Sequence, residues 1–550
     1  MPYSFVFRLP RAIRFAAAAG IAILSAFVST TCANAQLTAE PAGTLTDHGR
    51  ILLVLPFDNR TGQPSLEWIR EAAADLLSTR FASAGFAPMT RADRVYALDH
   101  LGLPQGFQPS RASSLKLAQT LDADYIVVGN YRTDGSSIEA QAQLVDVTRL
   151  RMTSTVTAYG AMSNMIAVFD SLAWKLTREL DPGFSVAEET FVAAGESLRL
   201  DAYEQYIRGI TEPDQAERLR HLEQSVKLSP GFSPAWMALG REQYQGQQYE
   251  EAAQAFAKVD PNSQDALEAG FDRGLSLLFS GNYAQAEKAF AAVARVLPLA
   301  EVVNNQAVAV SRQGRDGTAL FVQAASSDPN AADYHFNLAV SLKRQGKIVT
   351  ALNELAQCLK LRPNDGEAQS LEQAWKGAAS GQAAGAGNSA AAPDPLERIV
   401  RTFDANAFRQ AAVMLGQVDA SHLAALTTHE QALKICEQAG SYLHRGLLLE
   451  AERLYQSAVS LDGKAAEAHV GLAEVRERVG DNTVARKEAH TALELAPSAD
   501  AYLVLGRLDL EENHLAEARS EAGDALKLSP GSPAAQELMR EVVARDGIAK

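Results

Sequence analysis

Cysteine is nearly absent from this chain. Of three in 550 residues, Cys32 lies in an N-terminal stretch expected to be removed, which leaves Cys358 and Cys436. Two thiols cannot make a disulfide framework, so stability has to come from packing. Basic clusters are missing too. After the leader no run of Lys and Arg exceeds two residues, and the formal net charge of −15 becomes −18 once Arg8, Arg11 and Arg14 are gone. That balance excludes non-specific binding to nucleic acid or to anionic lipid, which needs clustered cations. The motifs of phosphate and acyl chemistry are also lacking. No G-x-x-x-x-G-K-[ST] occurs, no G-x-G-x-x-G follows a strand, and there is no G-x-S-x-G elbow. The ten histidines are scattered, and His422 and His429, which can share a helix face, have no carboxylate cluster to complete a metal site. The expectation is a non-enzyme without cofactor or metal.

Long apolar runs are limited to one. Phe15–Val28 follows the three arginines and precedes Ala33-Asn34-Ala35. Its length falls short of the roughly 20 residues that span a bilayer. Residues 1–35 therefore read as a secretory signal, with Gln36 first after cleavage and the periplasm as destination. A signal anchor in the inner membrane and a lipid anchor through Cys32 are the alternatives, although Ser29-Thr30-Thr31 lacks the apolar residue such a lipid motif wants.

What the sequence does have is a repeat. From about Asp201 a Leu followed by Gly or Ala recurs, with a small residue twelve positions on, a larger or small one four further, another small one, then Pro. Leu239, Gly240, Ala252 and Phe256 make one copy; Gly274, Ala286, Phe290 and Pro298 follow at a 34-residue step. Leu338, Ala339, Ala351, Leu355, Cys358 and Pro363 make a complete copy, as do Leu472 to Pro497 and Leu505 to Pro530. Ala439, Ala451, Tyr455 and Ala458 form a copy with Gly463 in place of the Pro. Such spacing predicts antiparallel helix pairs: small residues where helices cross, a bulky one between pairs, and Pro to end the second helix. Cys358 stands where sister copies carry Ala, so it reads as a buried filler. A bridge to Cys436 is not expected.

These offsets resemble the tetratricopeptide repeat (TPR) family, with divergent copies at 201–231 and 305–329. The resemblance implies a solenoid with a concave groove and no chemistry of its own. Ala378–Pro395, without charge until Asp394 and without large apolar residues, reads as a flexible linker. It divides the array into blocks at 201–377 and 396–550, with solvating cap helices at 365–376 and 532–546.

Residues 47–192 follow another pattern. A buried strand at Ile51–Leu55 leads to a turn at 58–62, a helix capped by Ser65 and running to Ser83, a strand at 85–89, and helices at 91–101 and 113–121. Strands at 125–131, 137–146 and 152–158 and a helix at 165–179 complete it. With LPFDNRTG (55–62), DADYIVVGNYR (122–132) and AQLVDVTR (142–149), this order resembles the amino-terminal domain of the TolB family, which implies a protein-docking module of the cell envelope. The fold class is thus α+β multi-domain: a small α/β domain, then two helical TPR solenoid blocks. Asp58, Asn59 and Asp146 stand at strand ends, where turn formation accounts for Asp58 and Asn59.

The helical period of the first helix in each pair places Met237, Arg241, Tyr244, Phe271, Asn305, Arg312, Phe336 and Lys343 on the concave side. Aromatic and cationic groups there suit a peptide partner, and Asn305, Arg312 and Lys343 are candidates to grip a carboxylate. Packing of this stripe on the N-terminal domain is the competing expectation. In the second block Glu467, Glu474, Glu477 and Asp500 hold the equivalent face, which fits a basic partner or plain solvation. The expected function is an envelope scaffold for protein partners, with an accessory or ring-forming part of an export assembly as the alternative.

Overall fold

The structure, a computed structural model, describes residues 51–104, 110–193, 198–261, 263, 265–379, 395–403, 426–444 and 446–548. The signal expected at 1–35 and the linker residues 380–394 lie outside the described residues. Among the described residues no helix is long and apolar enough to cross a membrane.

In the α/β domain, β1 (Ile51–Val54) sits inside a seven-stranded sheet, parallel to β3 (Ala87–Pro88) on one side and β4 (Tyr125–Thr133) on the other. The short β2 (Asp58–Asn59) extends the sheet beside β4. β5 (Ser137–Asp146) runs antiparallel to β4, and β6 (Arg151–Met152) and β7 (Val156–Ala161) both pair with β5. The alternation of a strand sends successive side chains to opposite faces. Leu52, Val54, Val127 and Leu144 face α1 (Ile69–Ser83) and α4 (Met165–Leu180). Leu53, Leu55, Ile126 and Val145 face α2 (Arg91–His100) and α3 (Arg111–Thr120). Between α1 and α4 the buried Arg80 guanidinium meets Asp170 at 2.7 Å.

Three local expectations are corrected here. Ser65 does not cap α1; it lies in the 3-10 turn Pro64–Leu66, and Trp68 takes the cap position without a side-chain bond. α3 is capped by Ser110, whose Oγ accepts from Ser113 N at 3.2 Å, so the helix starts earlier than the Ser113-Ser114 pair implies. The single strand expected at 152–158 is two. Leu144 N donates to the Thr153 side chain at 3.0 Å instead of a backbone carbonyl, which breaks the ladder between β6 and β7.

After α5 (Glu188–Ala193) come antiparallel pairs: α6 (Leu200–Thr211) with α7 (Gln215–Leu228), α8 (Ser233–Gln245) with α9 (Tyr249–Phe256), and α10 (Ala266–Phe279) with α11 (Tyr283–Val296). α12 (Ala300–Arg312) with α13 (Thr318–Ser327) and α14 (Ala332–Arg344) with α15 (Ile348–Leu361) follow, and α16 (Gly366–Ala379) closes the first block. The second block pairs α17 (Thr428–His444) with α18 (Leu448–Leu461), α19 (Ala466–Arg478) with α20 (Asn482–Leu495), and α21 (Ala499–Glu511) with α22 (Leu515–Leu528), ending on α23 (Pro533–Ile548). The small residues act as crossing points. A Cβ on Gly274 would lie 2.6 Å from the Phe290 ring, and one on Gly240 2.7 Å from Phe256. Turns within pairs pass through the left-handed region at Gly281, Gly314, Gly346 and Gly480; Gln247 and Asn513 occupy the same place in their pairs.

Both blocks touch the α/β domain. Tyr203 of α6 donates its hydroxyl to Asp75 of α1 at 2.7 Å, and Ile207 joins the domain's core. From the second block, Leu449 of α18 enters the same core, Arg453 donates to Ser83 O at 2.9 Å, and Glu452 accepts from Ala187 N at 3.2 Å. The block boundary at 396 also needs correction. Residues 395–403 carry no helix and lie against the first block.

Gly274→Ala should lower the unfolding free energy by about 1–3 kcal/mol, because the methyl forces Phe290 out of its seat. Gly366→Ala, whose Cβ meets nothing within 4 Å, should leave the urea midpoint the same or higher. Burial pushes the Asp75 carboxyl up to about 6, against the lowering effect of the Tyr203 hydroxyl. The folded state then holds this proton more tightly than the unfolded chain, so stability falls as pH rises from about 4 to about 6 and levels off above. Asp170 is likewise pushed up to about 6 by burial and adds a fall of the same sign. Asp75→Asn keeps an acceptor for Tyr203 and should reduce this fall, as read by denaturation midpoints at pH 4, 5, 6 and 7.

Candidate functional site

An asparagine amide in the middle of a packed helix is costly unless both its donor and its acceptor are matched. The first block has three of them, Asn304 and Asn305 on α12 and Asn337 on α14, all fully buried. Their partners come from the main chain of residues 395–403. Asn305 donates to Val400 O at 2.7 Å and accepts from Val400 N at 3.0 Å. Asn337 does the same with Arg398, accepting from its N at 2.6 Å and donating to its O at 2.8 Å. Asn304 accepts from Asn337 at 2.8 Å and donates to Asn305 at 3.2 Å, tying the two amides together. Residues 398 and 400 are two apart, the period at which an extended strand turns the same edge outward. The segment is read as a strand by side chains that imitate a strand's edge.

Side chains add selectivity at each end. Glu397 is buried in a cationic notch: Arg312 Nε lies 3.3 Å from its carboxylate, and Arg344 and Ser311 Oγ bond its other oxygen. The next residue enters an anionic one. Arg398 meets Asp365 at 2.6 Å, Asp333 at 3.0 Å and Glu367 at 3.0 Å, while its guanidinium lies 3.6 Å from the Phe336 ring centre. The hydrogen bond from Arg398 holds the Asp365 carboxyl below its ordinary range, with burial opposing. At Asp333 burial acts to raise the pKa, and the bonds from Arg362 and Arg398 outweigh it. Farther along, Arg401 lies over the Phe279 ring at 4.9 Å and Phe403 packs on Phe271 at 5.4 Å. The segment thus runs from α14 and α16 back toward α10, opposite to the order of the repeats.

Of the residues expected on the concave side, Phe271, Asn305, Arg312 and Phe336 are brought together around 395–403. Tyr244 stands at the α10 end, packed on Tyr249 and Phe279, its hydroxyl pushed up to about 12 mainly by burial. Arg241 is bonded to Glu268 at 2.6 Å, beside Asp272, whose carboxyl burial pushes up to about 7 despite that arginine. Met237 is not on the groove; it is buried between pairs with Ala252, Phe256 and Ala269. The expected carboxylate grip is revised as well. The cations on Glu397 are Arg312 and Arg344, while Asn305 reads main chain and Lys343 sits one residue earlier on α14. The stripe packs on a segment of its own chain, not on the N-terminal domain.

Sequence reasoning missed Asn304, Asn337, Arg344 and the acidic trio Asp333, Asp365 and Glu367. Three asparagines at buried helix positions were the available signal. In the second block the acidic face is partly neutralised from within: Glu477 is bonded to Arg507, and burial raises the Glu474 carboxyl. Asp509, Glu512 and His514 converge within 4.8 Å, but Arg486 already bonds Asp509 at 2.8 Å and Glu512 at 3.0 Å. Cys358 and Cys436 are free and buried in separate clusters, their thiols pushed up by burial to about 11 and about 12. In the α/β domain, Asn59 accepts from Thr61 N at 3.0 Å and Asp146 from Arg149 N at 2.7 Å, so both carboxamide and carboxylate shape turns.

A family model described as tetratricopeptide repeat matches residues 271–320 and 472–533, one stretch in each block. No curated protein matches the chain. Among solved structures, YrrB, described as a TPR protein with an unusual peptide-binding site, is 16% identical over 33% of this chain and 96% of its own, with a TM-score of 0.29. A tetratricopeptide repeat protein from Parabacteroides merdae is 11% identical over 56% of this chain and 97% of its own, TM-score 0.25. The C-terminal domain of LpoB from Salmonella enterica is 19% identical over 20% of this chain and 82% of its own, TM-score 0.18. The helical blocks of this chain carry tetratricopeptide repeats, modules that act as scaffolds for protein–protein interaction.

Proposed function

We propose that this protein is a non-catalytic scaffold of the periplasm or cell envelope whose first helical block holds an extended segment of a partner protein. The observation that carries the reading is the paired amide ladder. Asn305 and Asn337 each bond both the N–H and the C=O of one residue, at 2.6–3.0 Å. Side chains built to satisfy another segment's backbone serve binding, not chemistry, and they accept any sequence that can lie extended. The export signal expected at residues 1–35 supports the location, and the TolB-like order of the α/β domain supports docking to an envelope complex. An accessory or ring-forming role in an export assembly is the second reading, and the outer strand β7, which among the described residues pairs only with β5 and carries the exposed Tyr159, favours it as a surface for self-association.

Three measurements test the proposal. Periplasmic extract should contain a chain beginning at Gln36; an unprocessed chain confined to the cytoplasm overturns the location. Asn305→Ala with Asn337→Ala should weaken partner capture from envelope extract by about tenfold or more, since each amide leaves two bonds unmade. Capture unchanged in that variant sinks the groove assignment. Light scattering of the purified chain should give a monomer or dimer, and a stable ring of many copies replaces the adaptor reading with the export-assembly one.

A further inference from the structure

We propose that residues 395–403 are a built-in occupant of the groove, and that the partner it holds is one presenting an extended Glu-Arg-x-x-Arg-x-Phe segment, which must displace them. The inference rests on the groove reading above and specifies its ligand and its regulation. The notch chemistry fixes the order of charges. Glu397 is 3% exposed and held by Arg312 and Arg344; Arg398 next to it is held by Asp333, Asp365 and Glu367 and stacked on Phe336. An acid followed directly by an arginine satisfies both, whereas the reverse order sets like charges against each other in both notches. Three residues on, Arg401 reaches Phe279, and two further Phe403 reaches Phe271.

An empty groove is disfavoured for the same reason. Withdrawal of the segment strands three buried amides, the two arginines of the cationic notch around Glu397 and three carboxylates around Arg398. The groove therefore exchanges occupants and does not stand open. A segment on the same chain competes at an effective concentration of order millimolar, so it blocks weak or mismatched peptides and yields to a matched one. Both functions follow from one device: the chain carries a sample of what it recognises.

The probe is a fluorescent peptide of residues 395–403, measured by anisotropy against the full chain. Glu397→Ala with Arg398→Ala in the chain weakens the internal occupant and leaves every groove residue intact. That variant should bind the peptide about a hundredfold tighter than the unaltered chain does, and adding Asn305→Ala and Asn337→Ala should abolish the gain. A peptide with the Glu and Arg exchanged should not bind. Equal affinity of variant and unaltered chain, or equal binding of the exchanged peptide, overturns this inference while leaving the groove reading in place. A cooperatively melting variant that binds neither peptide overturns the groove reading itself. If the variant fails to fold, hydrogen exchange of the unaltered chain decides: the Arg398 and Val400 amides should exchange slowly alone and faster with excess peptide, and no change refutes displacement. A dimer that falls apart on Glu397→Ala with Arg398→Ala shows the occupant comes from a second copy, and the built-in assignment is then wrong.

Discussion

A buried amide that belongs to a side chain has to be answered by something, and for Asn305 and Asn337 the answer comes from the main chain of Val400 and Arg398. The helix backbone already spends its own donors and acceptors on itself, and neighbouring helices offer mostly Ala, Leu and Val. Asn304, Asn305 and Asn337 are fully buried on the inner helices of consecutive pairs, so the first block is complete only when a stretch of unpaired backbone runs across it. At about 1–3 kcal/mol for each buried group left unmatched, the three amides together weigh as much as a sizeable part of a domain's net stability. Occupancy is a condition of this surface, and the chain meets it with its own residues 395–403.

The repeats set up that condition by geometry. Small residues at Gly240 and Gly274 let Phe256 and Phe290 rest on the partner helix, which brings the inner helices into a row. Equivalent positions on successive inner helices, Asn305 and Asn337, then meet residues 400 and 398 of one segment. A row of charges follows the same logic. Arg312 and Arg344 sit at the ends of their helices, near the C-terminal carbonyls where a cation is favoured, and project toward the same carboxylate. The acid notch is made by Asp333 at the start of α14 and Asp365 and Glu367 at the start of α16, where a helix N-terminus favours an anion. The two notches thus lie at opposite ends of the inner helices, so the charge order of the occupant is written into the direction of the repeat.

The helix pairs were legible in the sequence because their signals are local. A Leu-Gly or Leu-Ala step, a small residue twelve on and a closing Pro all sit within one repeat, and each has a mechanical cause. The concave stripe was partly legible from the period: Phe271, Asn305, Arg312 and Phe336 share one surface. Met237 went astray because its side chain packs between helix pairs against Phe256 and Ala269. The occupant was not legible at all. Leu396-Glu397-Arg398-Ile399-Val400 has the composition of a helix start, and only the amides of residues 304, 305 and 337, up to 95 positions away in sequence, state that it is needed in another form. Non-local hydrogen bonding of this kind leaves no periodic trace.

The second block is built on the same pairs and lacks this demand. Its inner helices carry His469, Arg476 and Asp509 at buried positions, and each is answered from within the solenoid: His469 by Glu488 at 2.7 Å, Arg476 by Glu452, Asp509 by Arg486 at 2.8 Å. Glu452 also accepts from Ala187 N, so part of that network is spent on holding the block against the α/β domain. One block therefore answers His469, Arg476 and Asp509 with its own side chains and lies against the α/β domain, with Leu449 in the domain core. The other is matched by residues 395–403 laid across it. The difference between them lies in three asparagines, and not in the repeat.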